Sequence, residues 1–302
     1  MFVNLAFFNF WNPTHVNGWV DIIVMALVLG MIHGITPDEH TWPITFSYAI
    51  GSYSTIKGLR SGIIFSLAFT LQRAIASELA YLGLARLYTV AALNNIIYVV
   101  VGILMLLAGL MIVRRKTIFH FELPFLKAHH LDANQDNEPW LNDPKPWMPA
   151  LHGFVAGWGF GAFAIIIYTL LAPAAHSAYW AWVPGAVFGL GTMVMQALAG
   201  AAFGLMAAKK GLSARAIRKV ALKTAGNTLT WGGVAFILAG SIEQVFPRIG
   251  RFAINTNVHV HNLDSLGVAF LLVIISVIGV GLTTLIVQTR AELGKLKLEH
   301  LD

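Results

Sequence analysis

The stretch GMIHGITPDEHTWPIT, residues 30–45, places two histidines, an aspartate and a glutamate beside two prolines in a chain that is otherwise mostly apolar. Pro37 has no backbone N–H to donate, and its ring clashes with the carbonyl group four residues earlier, that of His33. Pro43 acts in the same way on the carbonyl four residues before it. The stretch therefore predicts a helix that breaks within residues 33–43.

The composition indicates which kind of protein carries this stretch. Of the 302 residues, 57% are hydrophobic and only 11% are charged, and the mean hydropathy is +0.70. Soluble domains carry about 25% charged residues, so we predict an all-α polytopic membrane protein in contact with the lipid bilayer. The N-terminus lacks a basic segment, so we expect no cleaved signal peptide. The net charge of +6 need not indicate nucleic acid, and we expect no nucleic-acid partner.

The residue types also exclude some chemistry. The chain has no cysteine, which excludes disulfides, zinc–thiolate sites and thiol relays built from its own side chains. The sequence contains no nucleophile motif and no phosphate-binding motif. We therefore expect neither an enzyme nor a nucleotide-driven pump, and no resident cofactor.

Seven apolar segments are long enough to cross a hydrocarbon core of roughly 30 Å. Sixteen lysines and arginines flank them on one side and three on the other. The positive-inside rule then places the N-terminus outside and the C-terminus in the cytoplasm of a prokaryotic inner membrane. The first segment, which carries the quoted stretch, is too long for one simple span. The predicted spans are 19–53, 61–85, 92–113, 148–172, 181–207, 228–247 and 266–289.

The two halves of the chain resemble each other at a constant offset of 123 residues. The matched positions are Gly30, Gly34 and Asp38 with Gly153, Gly157 and Gly161, and Gly62 and Phe65 with Gly185 and Phe188. Three spans per copy make this an inverted-topology repeat, which is typical of secondary transporters. The alternative is that the spaced glycines only let helices pack closely.

The repeat divides the chain into four parts, and we predict about seven transmembrane helices as two inverted three-helix repeats plus one. The first repeat is 1–113, a cytoplasmic linker is 114–147, and the second repeat is 148–247. Residues 248–302 form an external loop, the seventh helix and a cytoplasmic tail.

The titratable residues of the quoted stretch are His33, Asp38, Glu39 and His40. Charged groups within a span usually face a cavity or a partner, so we predict that they line a site for an ion or a proton. On a straight helix the two histidines would stand about 10 Å apart, too far to share one metal ion at about 2.1 Å from each. The break could bring them together, and imidazole with carboxylate suits nickel, cobalt or zinc.

Two alternatives to an ion site stay open for this stretch. Residues 38–40 could form a solvated turn at the membrane surface, with Asp38 capping the helix that follows. The same residues could also form a buried network with a purely structural role.

Other polar residues are candidates for a substrate pathway. Arg73 is the only basic residue in the middle of a predicted span, and Glu78 lies five residues later, a poor pairing distance on one helix. Arg73 could therefore pair with the carboxylates of the first span, and Gln196 is its counterpart at the offset of 123. The full set of candidates is Thr36, Gln72, Arg73, Glu78, Thr192 and Gln196.

The pattern His33-Gly34-x-x-Pro37, followed by His40, resembles the first-helix signature of bacterial nickel/cobalt transporters. That family includes permeases and efflux proteins within the lysine-exporter-like superfamily of 3+3 repeats. The resemblance implies that His33, Asp38 and His40 are metal ligands or selectivity residues.

This sequence departs from the family at three places. Glu39 is an extra residue between Asp38 and His40. The permease motif Phe-x-x-Gly-His-Ser is here Phe65-Ser-Leu-Ala-Phe-Thr, which lacks the histidine. The motif Gly-Phe-Asp-Thr-Ala-Thr-Glu is here Gly159-Phe-Gly-Ala-Phe-Ala-Ile, which lacks both carboxylates.

These observations predict a secondary transporter for a divalent transition-metal ion, with the ion as substrate and its site in the broken first helix. One alternative is an exporter of a small anion or organic solute that uses Arg73 as counter-charge. A second alternative is an intramembrane metalloenzyme in which His33, Asp38 and His40 hold a catalytic metal. The expected partners are the bilayer and a small inorganic ion. The sequence leaves open whether the chain forms a homo-oligomer.

Overall fold

The computed structural model describes residue 16 and residues 18–113, 143–159, 161–207, 212–256 and 265–299. Of the residues that the structure describes, 82% are helical. This high helix content, with the membrane-spanning helices given below, confirms the prediction of an all-α membrane protein. Most of the predicted linker, residues 114–142, lies outside the described residues.

The helices fall into two groups along the chain, on either side of residues 114–142. The first group is α1 (Trp19–Ile35), α2 (Trp42–Gly51), α3 (Thr55–Leu79) and α4 (Ala91–Val113). The second group is α5 (Trp147–Ala156), α6 (Ala162–Ile166), α7 (Ala172–Ala174), α8 (Val183–Ala207) and α9 (Ala214–Val245). A two-stranded antiparallel pair, β1 (Ile254–Asn255) and β2 (Ser265–Leu266), precedes α10 (Val268–Val273) and α11 (Thr283–Glu299). Wider π-helical turns join α6 to α7 and α10 to α11.

The first predicted span is broken where the prolines lie. Helix α1 ends at Ile35, and α2 begins at Trp42 with Pro43 in its first turn. Proline is tolerated there because the first N–H groups of a helix have no partner within the helix. The prediction of a break within residues 33–43 is confirmed.

The fourth predicted span is broken as well, which the sequence analysis did not predict. Helix α5 ends at Ala156 and α6 begins at Ala162. The intervening segment contains Gly157, Gly159 and Gly161. Glycine pays the largest entropy cost in a helix, so three glycines in five residues favour a break even without a proline.

Within the described ranges, four helices are long and apolar enough to cross a membrane. They are Thr55–Tyr88, Ala92–Val113, Val183–Met206 and Val268–Leu296. The apolar helices Trp19–Ile35 and Phe163–Ala174 are shorter because each belongs to a broken span. Helix α9 covers residues 228–245 of the predicted span 228–247 and carries a polar first half. The count of seven spans and their division into repeats stay predictions.

Close backbone contacts at glycine join the two halves of the chain. A methyl group on Gly30 would collide with the carbonyl oxygen of Phe188, and one on Gly153 would collide with that of Phe65. These two contacts are related by the offset of 123 residues. Small residues at such crossings let helix backbones approach closely in a membrane.

Two clusters of buried apolar side chains lie on either side of the first helix break. The first joins α2, α4, α5 and α9 and includes Ile44, Tyr98, Met105, Met148 and Phe236. The second joins α1, α3, α6 and α8 and includes Leu29, Phe69, Phe163, Tyr168 and Phe188. The charged stretch therefore lies between two well-packed regions.

The glycine crossings generate a stability prediction. Gly30→Ala and Gly153→Ala should each lower the free energy of unfolding by about 1–3 kcal/mol, because the added methyl meets a backbone carbonyl that cannot move easily. Thermal unfolding in detergent measures the loss. Gly294→Ala is the control, since nothing lies within 4 Å of its added Cβ. Equal stability of the Gly30, Gly153 and Gly294 variants would contradict the packing described here.

Candidate functional site: a buried polar centre

The four titratable residues of the first helix break are buried. The exposed fraction of each residue is 3% for His33, 2% for Asp38, 6% for Glu39 and 5% for His40. The interpretation as a solvated surface turn is therefore wrong. We call these four residues the polar centre.

Asp38 organises the backbone of the break and does not cap α2. Its Oδ1 accepts a hydrogen bond of 2.9 Å from the backbone N–H of His40. The cap residue of α2 is Thr41, which makes no side-chain capping bond, while the N–H of Trp42 donates to the carbonyl of Asp38. The predicted capping role of Asp38 is wrong because its carboxylate is used within the break.

Short contacts connect the side chains of the polar centre. The Nδ1 atom of His40 lies 3.0 Å from Oε1 of Glu39, and the hydroxyl of Tyr98 donates to the same oxygen at 3.0 Å. The Nδ1 atom of His33 lies 3.7 Å from Oδ2 of Asp38. The helix break thus joins His33, Asp38, His40, Glu39 and Tyr98 in one connected group.

The break brings three consecutive residues of the polar centre together, but this set of ligand atoms does not include His33, so it does not unite the two histidines. Ligand atoms of Asp38, Glu39 and His40 lie within 4.8 Å of one another. Both carboxylates already accept hydrogen bonds from the protein, as described above. The role of these residues and of His33 as metal ligands stays a prediction.

Aromatic rings hold the two imidazoles in place. His33 stacks on Phe69 and on Phe188, with ring centroids 5.8 Å and 5.3 Å apart. His40 stacks on Tyr98 with centroids 5.1 Å apart. These rings come from α3, α8 and α4, so packing of the whole bundle fixes the orientation of both histidines.

Arg73 lies beside the polar centre and is 2% exposed. Its guanidinium donates to the hydroxyl of Tyr168 at 2.7 Å and to the carbonyl of Gly159 at 3.2 Å. Its charge also acts on Asp38 and His40. The hydrogen bonds of Arg73 go to the second helix break and to Tyr168, and its pairing with the first-span carboxylates stays a prediction.

Three further candidates bind the backbone of α1 and its end. Thr192 donates to the carbonyl of Gly30 at 3.1 Å, and Gln196 donates to the carbonyl of Gly34 at 2.9 Å. The hydroxyl of Thr36 donates to the carbonyl of His33 at 3.2 Å. These residues satisfy backbone groups near the break, and their role in a substrate pathway stays a prediction.

The remaining two candidates differ in their position. Gln72 is fully buried, and its side chain packs where a methyl on Gly157 would lie. It therefore faces the second helix break. Glu78 is half-buried and lies next to the end of α3, one residue before Leu79, five residues beyond Arg73.

Sequence reasoning missed the tyrosines of this site. Tyr98 and Tyr168 are 4% and 0% exposed, and both use their hydroxyl groups, one on Glu39 and one on Arg73. A buried tyrosine usually finds a hydrogen-bond partner, which is the only signal in the sequence. It does not tell which charged residue is the partner.

Removal of the buried guanidinium tests the electrostatic balance of the site. Arg73→Gln should lower the free energy of unfolding by about 3–5 kcal/mol, because it leaves buried carboxylates without their positive neighbour. Arg60→Gln, at an exposed position, should change it by less than about 0.5 kcal/mol. Chemical unfolding in mixed micelles provides the measurement.

A milder variant keeps this test decisive if Arg73→Gln does not fold. Tyr168→Phe removes only the hydroxyl that accepts from Arg73, which should cost about 1.5–3 kcal/mol for a hydrogen bond to a charged group. Unchanged stability in Tyr168→Phe would show that Arg73 does not depend on this contact.

Comparison with known proteins gives one family. A family model described as cytochrome C biogenesis protein transmembrane region matches residues 69–242. No curated protein and no solved structure matches the chain. The matched region runs from the middle of α3 nearly to the end of α9, and it includes Arg73, Tyr98, Tyr168 and Gln196.

This match corrects the functional prediction. The family is a different one from the nickel/cobalt transporters, so the resemblance of the first helix was misleading. The predicted transport of a divalent metal ion is wrong, because the family suggests a thiol–disulfide function across the membrane. The match gives no support to the alternatives of an anion exporter and a metalloenzyme. The quoted stretch lies outside the matched residues, and histidines with carboxylates serve both metal and proton chemistry.

Proposed function

The chain belongs to the family of cytochrome c biogenesis transmembrane regions, and from this premise we propose that it is a membrane component of cytochrome c biogenesis that moves protons. The family suggests a thiol–disulfide function across the membrane. This chain has no cysteine and cannot carry that exchange on its own side chains. Its polar centre is the chemically active group that it does carry.

The observation that carries the proposal is the connected series of titratable groups at the first break. Imidazole and carboxylate groups exchange protons at neutral pH when they lie within hydrogen-bond reach. The contact of 3.0 Å between His40 and Glu39 meets this condition. The separation of 3.7 Å between His33 and Asp38 needs only a small movement or one water molecule.

The positive charge of Arg73 makes such a centre feasible inside a membrane. Two adjacent carboxylates in an apolar interior repel each other and resist ionisation. A buried guanidinium nearby offsets this cost, and Arg73 is fixed by Tyr168 and Gly159. Proton exchange can then alternate between histidine and carboxylate without leaving a large uncompensated charge.

On one side of the polar centre, further polar residues lead toward the C-terminal end of α9. Tyr98 donates to Glu39 and also packs against α9, since a methyl group on Gly240 would lie 2.9 Å from its Cβ. Gly240 precedes Glu243 by three residues on the same helix. Glu243 lies two residues before the end of α9 and is 9% exposed. This side chain is therefore a suitable group for exchange of protons with that surface.

We also propose the finer organisation of the fold. The paired crossings Gly30 with Phe188 and Gly153 with Phe65 support two inverted repeats with the boundaries given above, 1–113 and 148–247. A second pair agrees, since Gly62 meets the carbonyl of Gln196 and Gly185 meets that of Arg73. Seven spans, an external N-terminus and a cytoplasmic C-terminus in a prokaryotic inner membrane follow from the distribution of basic residues.

The proposal includes three expectations about the chain's chemistry and assembly. It is not an enzyme in its own right, it holds no resident cofactor, and it acts together with other proteins of cytochrome c biogenesis. A homo-oligomer is compatible with this role.

A deletion strain tests the proposed role. Loss of the gene should lower the amount of haem-bound c-type cytochrome, and the wild-type chain should restore it. Asp38→Asn and Glu39→Gln should leave the amount near that of the deletion strain, because general acid–base groups contribute about 10²–10⁴-fold to a proton-transfer step. Haem staining of membrane and periplasmic fractions measures the cytochromes, and immunoblotting shows that each variant reaches the membrane.

Glu292→Gln is the matched control, since Glu292 contacts Lys219 and Lys295 far from the polar centre. It should restore cytochromes like the wild type. Normal cytochrome levels in the deletion strain, or full restoration by both variants of the centre, would contradict the proposal.

A further inference from the structure

Helix α2 has one polar face that begins at the polar centre. Thr41, Thr45 and Tyr48 are spaced by four and three residues, which places them on the same side of the helix. Their exposed fractions are 0%, 2% and 2%. These three residues lie outside the groups to which the proposed proton exchange was assigned above.

Among the described residues, the two threonine hydroxyls are unpaired, a property that they share with the hydroxyls of Ser66, Thr230 and Ser276 on other helices. In the part of the chain that the structure describes, neither Thr41 nor Thr45 has a hydrogen-bond partner for its Oγ1. Ser47 on the same helix donates to the carbonyl of Pro43 at 2.6 Å, and Thr224 donates to that of Val220 at 2.8 Å. Most buried polar groups are paired with protein or water, so the face of Thr41 and Thr45 is suited to bind water.

Tyr48 continues this face with a second polar pair. Its Oη atom lies 3.0 Å from Nδ1 of His152 on α5, and the same Nδ1 lies 2.9 Å from the carbonyl of Met148. His152 is 2% exposed. The sequence analysis made no prediction for this histidine, which stands alone in the sequence.

The face leads to the end of the bundle that carries most of the basic residues. Gly51 closes α2, and a methyl group there would lie 2.9 Å from Ala225 and 3.4 Å from Pro144. We call this the basic end and define it by Lys57, Arg60, Arg215 and Arg218. At about 1.5 Å per residue, the face from His40 to Tyr48 spans roughly 12 Å toward this end.

We propose that Thr41, Thr45, Tyr48 and His152 form a polar path by which water reaches the polar centre from the basic end. The path rests on the proposed function, in which Tyr98 and Glu243 serve the opposite end. Two routes on opposite sides of one centre are what transfer of protons across the membrane requires. The polar path is the route from the basic end. The polar centre connects it to the route through Tyr98 and Glu243.

Thiol labelling tests the path, and the chain's lack of cysteine provides the background without further changes. Thr45→Cys should react with a small, charged methanethiosulfonate reagent added at the basic end of the protein in sealed vesicles. Ile44→Cys is the matched control, because Ile44 is its neighbour on α2 and is 0% exposed within an apolar cluster. We expect Thr45→Cys to react at least tenfold faster than Ile44→Cys.

Vesicles of the opposite orientation complete the experiment, and thermal unfolding shows whether each variant keeps its fold. Reaction of Thr45→Cys only from the end of Glu243, or at the rate of Ile44→Cys from both ends, would overturn the path. Tyr48→Cys provides a second position on the same face if Thr45→Cys does not fold.

The outcomes separate the path from the proposed function. Failure of labelling together with loss of cytochromes in Asp38→Asn would reject the path and keep the function. Labelling from the basic end together with normal cytochromes in Asp38→Asn would keep the path and reject the function.

Discussion

The structure depends on how two helix breaks satisfy their backbone groups inside an apolar environment. Irregular backbone at membrane depth is tolerated only where protein or enclosed water provides hydrogen bonds. Gln196 donates to the carbonyl of Gly34 at the first break, and Arg73 donates to that of Gly159 at the second. These two side chains are related by the offset of 123 residues, so each half of the chain stabilises the break of the other.

This constraint explains why so much could be predicted around residues 30–45 and so little elsewhere. Two prolines fix the break, and four titratable groups within an apolar segment favour a buried site, although a solvated turn was the alternative. The second break has no proline, and its three glycines also suit close helix packing. Tyr98 and Tyr168 could not be assigned because their partners lie 59 and 95 residues away in the chain. Only the packed bundle determines such contacts.

The functional prediction failed for a chemical reason. Imidazole and carboxylate in one helix fit both metal ligation and proton exchange, and residues 30–45 alone do not separate the two. The family relationship comes from residues 69–242, whose apolar helices carry little recognisable chemistry. The chain thus belongs to a family that suggests thiol–disulfide exchange. The buried titratable side chains near its first helix break are carboxylates, imidazoles and the guanidinium of Arg73.

The most direct test of this account is infrared difference spectroscopy of the reconstituted protein between about pH 5 and pH 8, the range in which imidazole titrates. The account predicts a carboxylic C=O band that appears with acidification, shifts in D₂O, and is lost or displaced in Asp38→Asn or Glu39→Gln. Glu292→Gln should keep the band. A wild-type spectrum without a pH-dependent carboxylic band, or one unchanged in both variants, would contradict proton exchange at the polar centre.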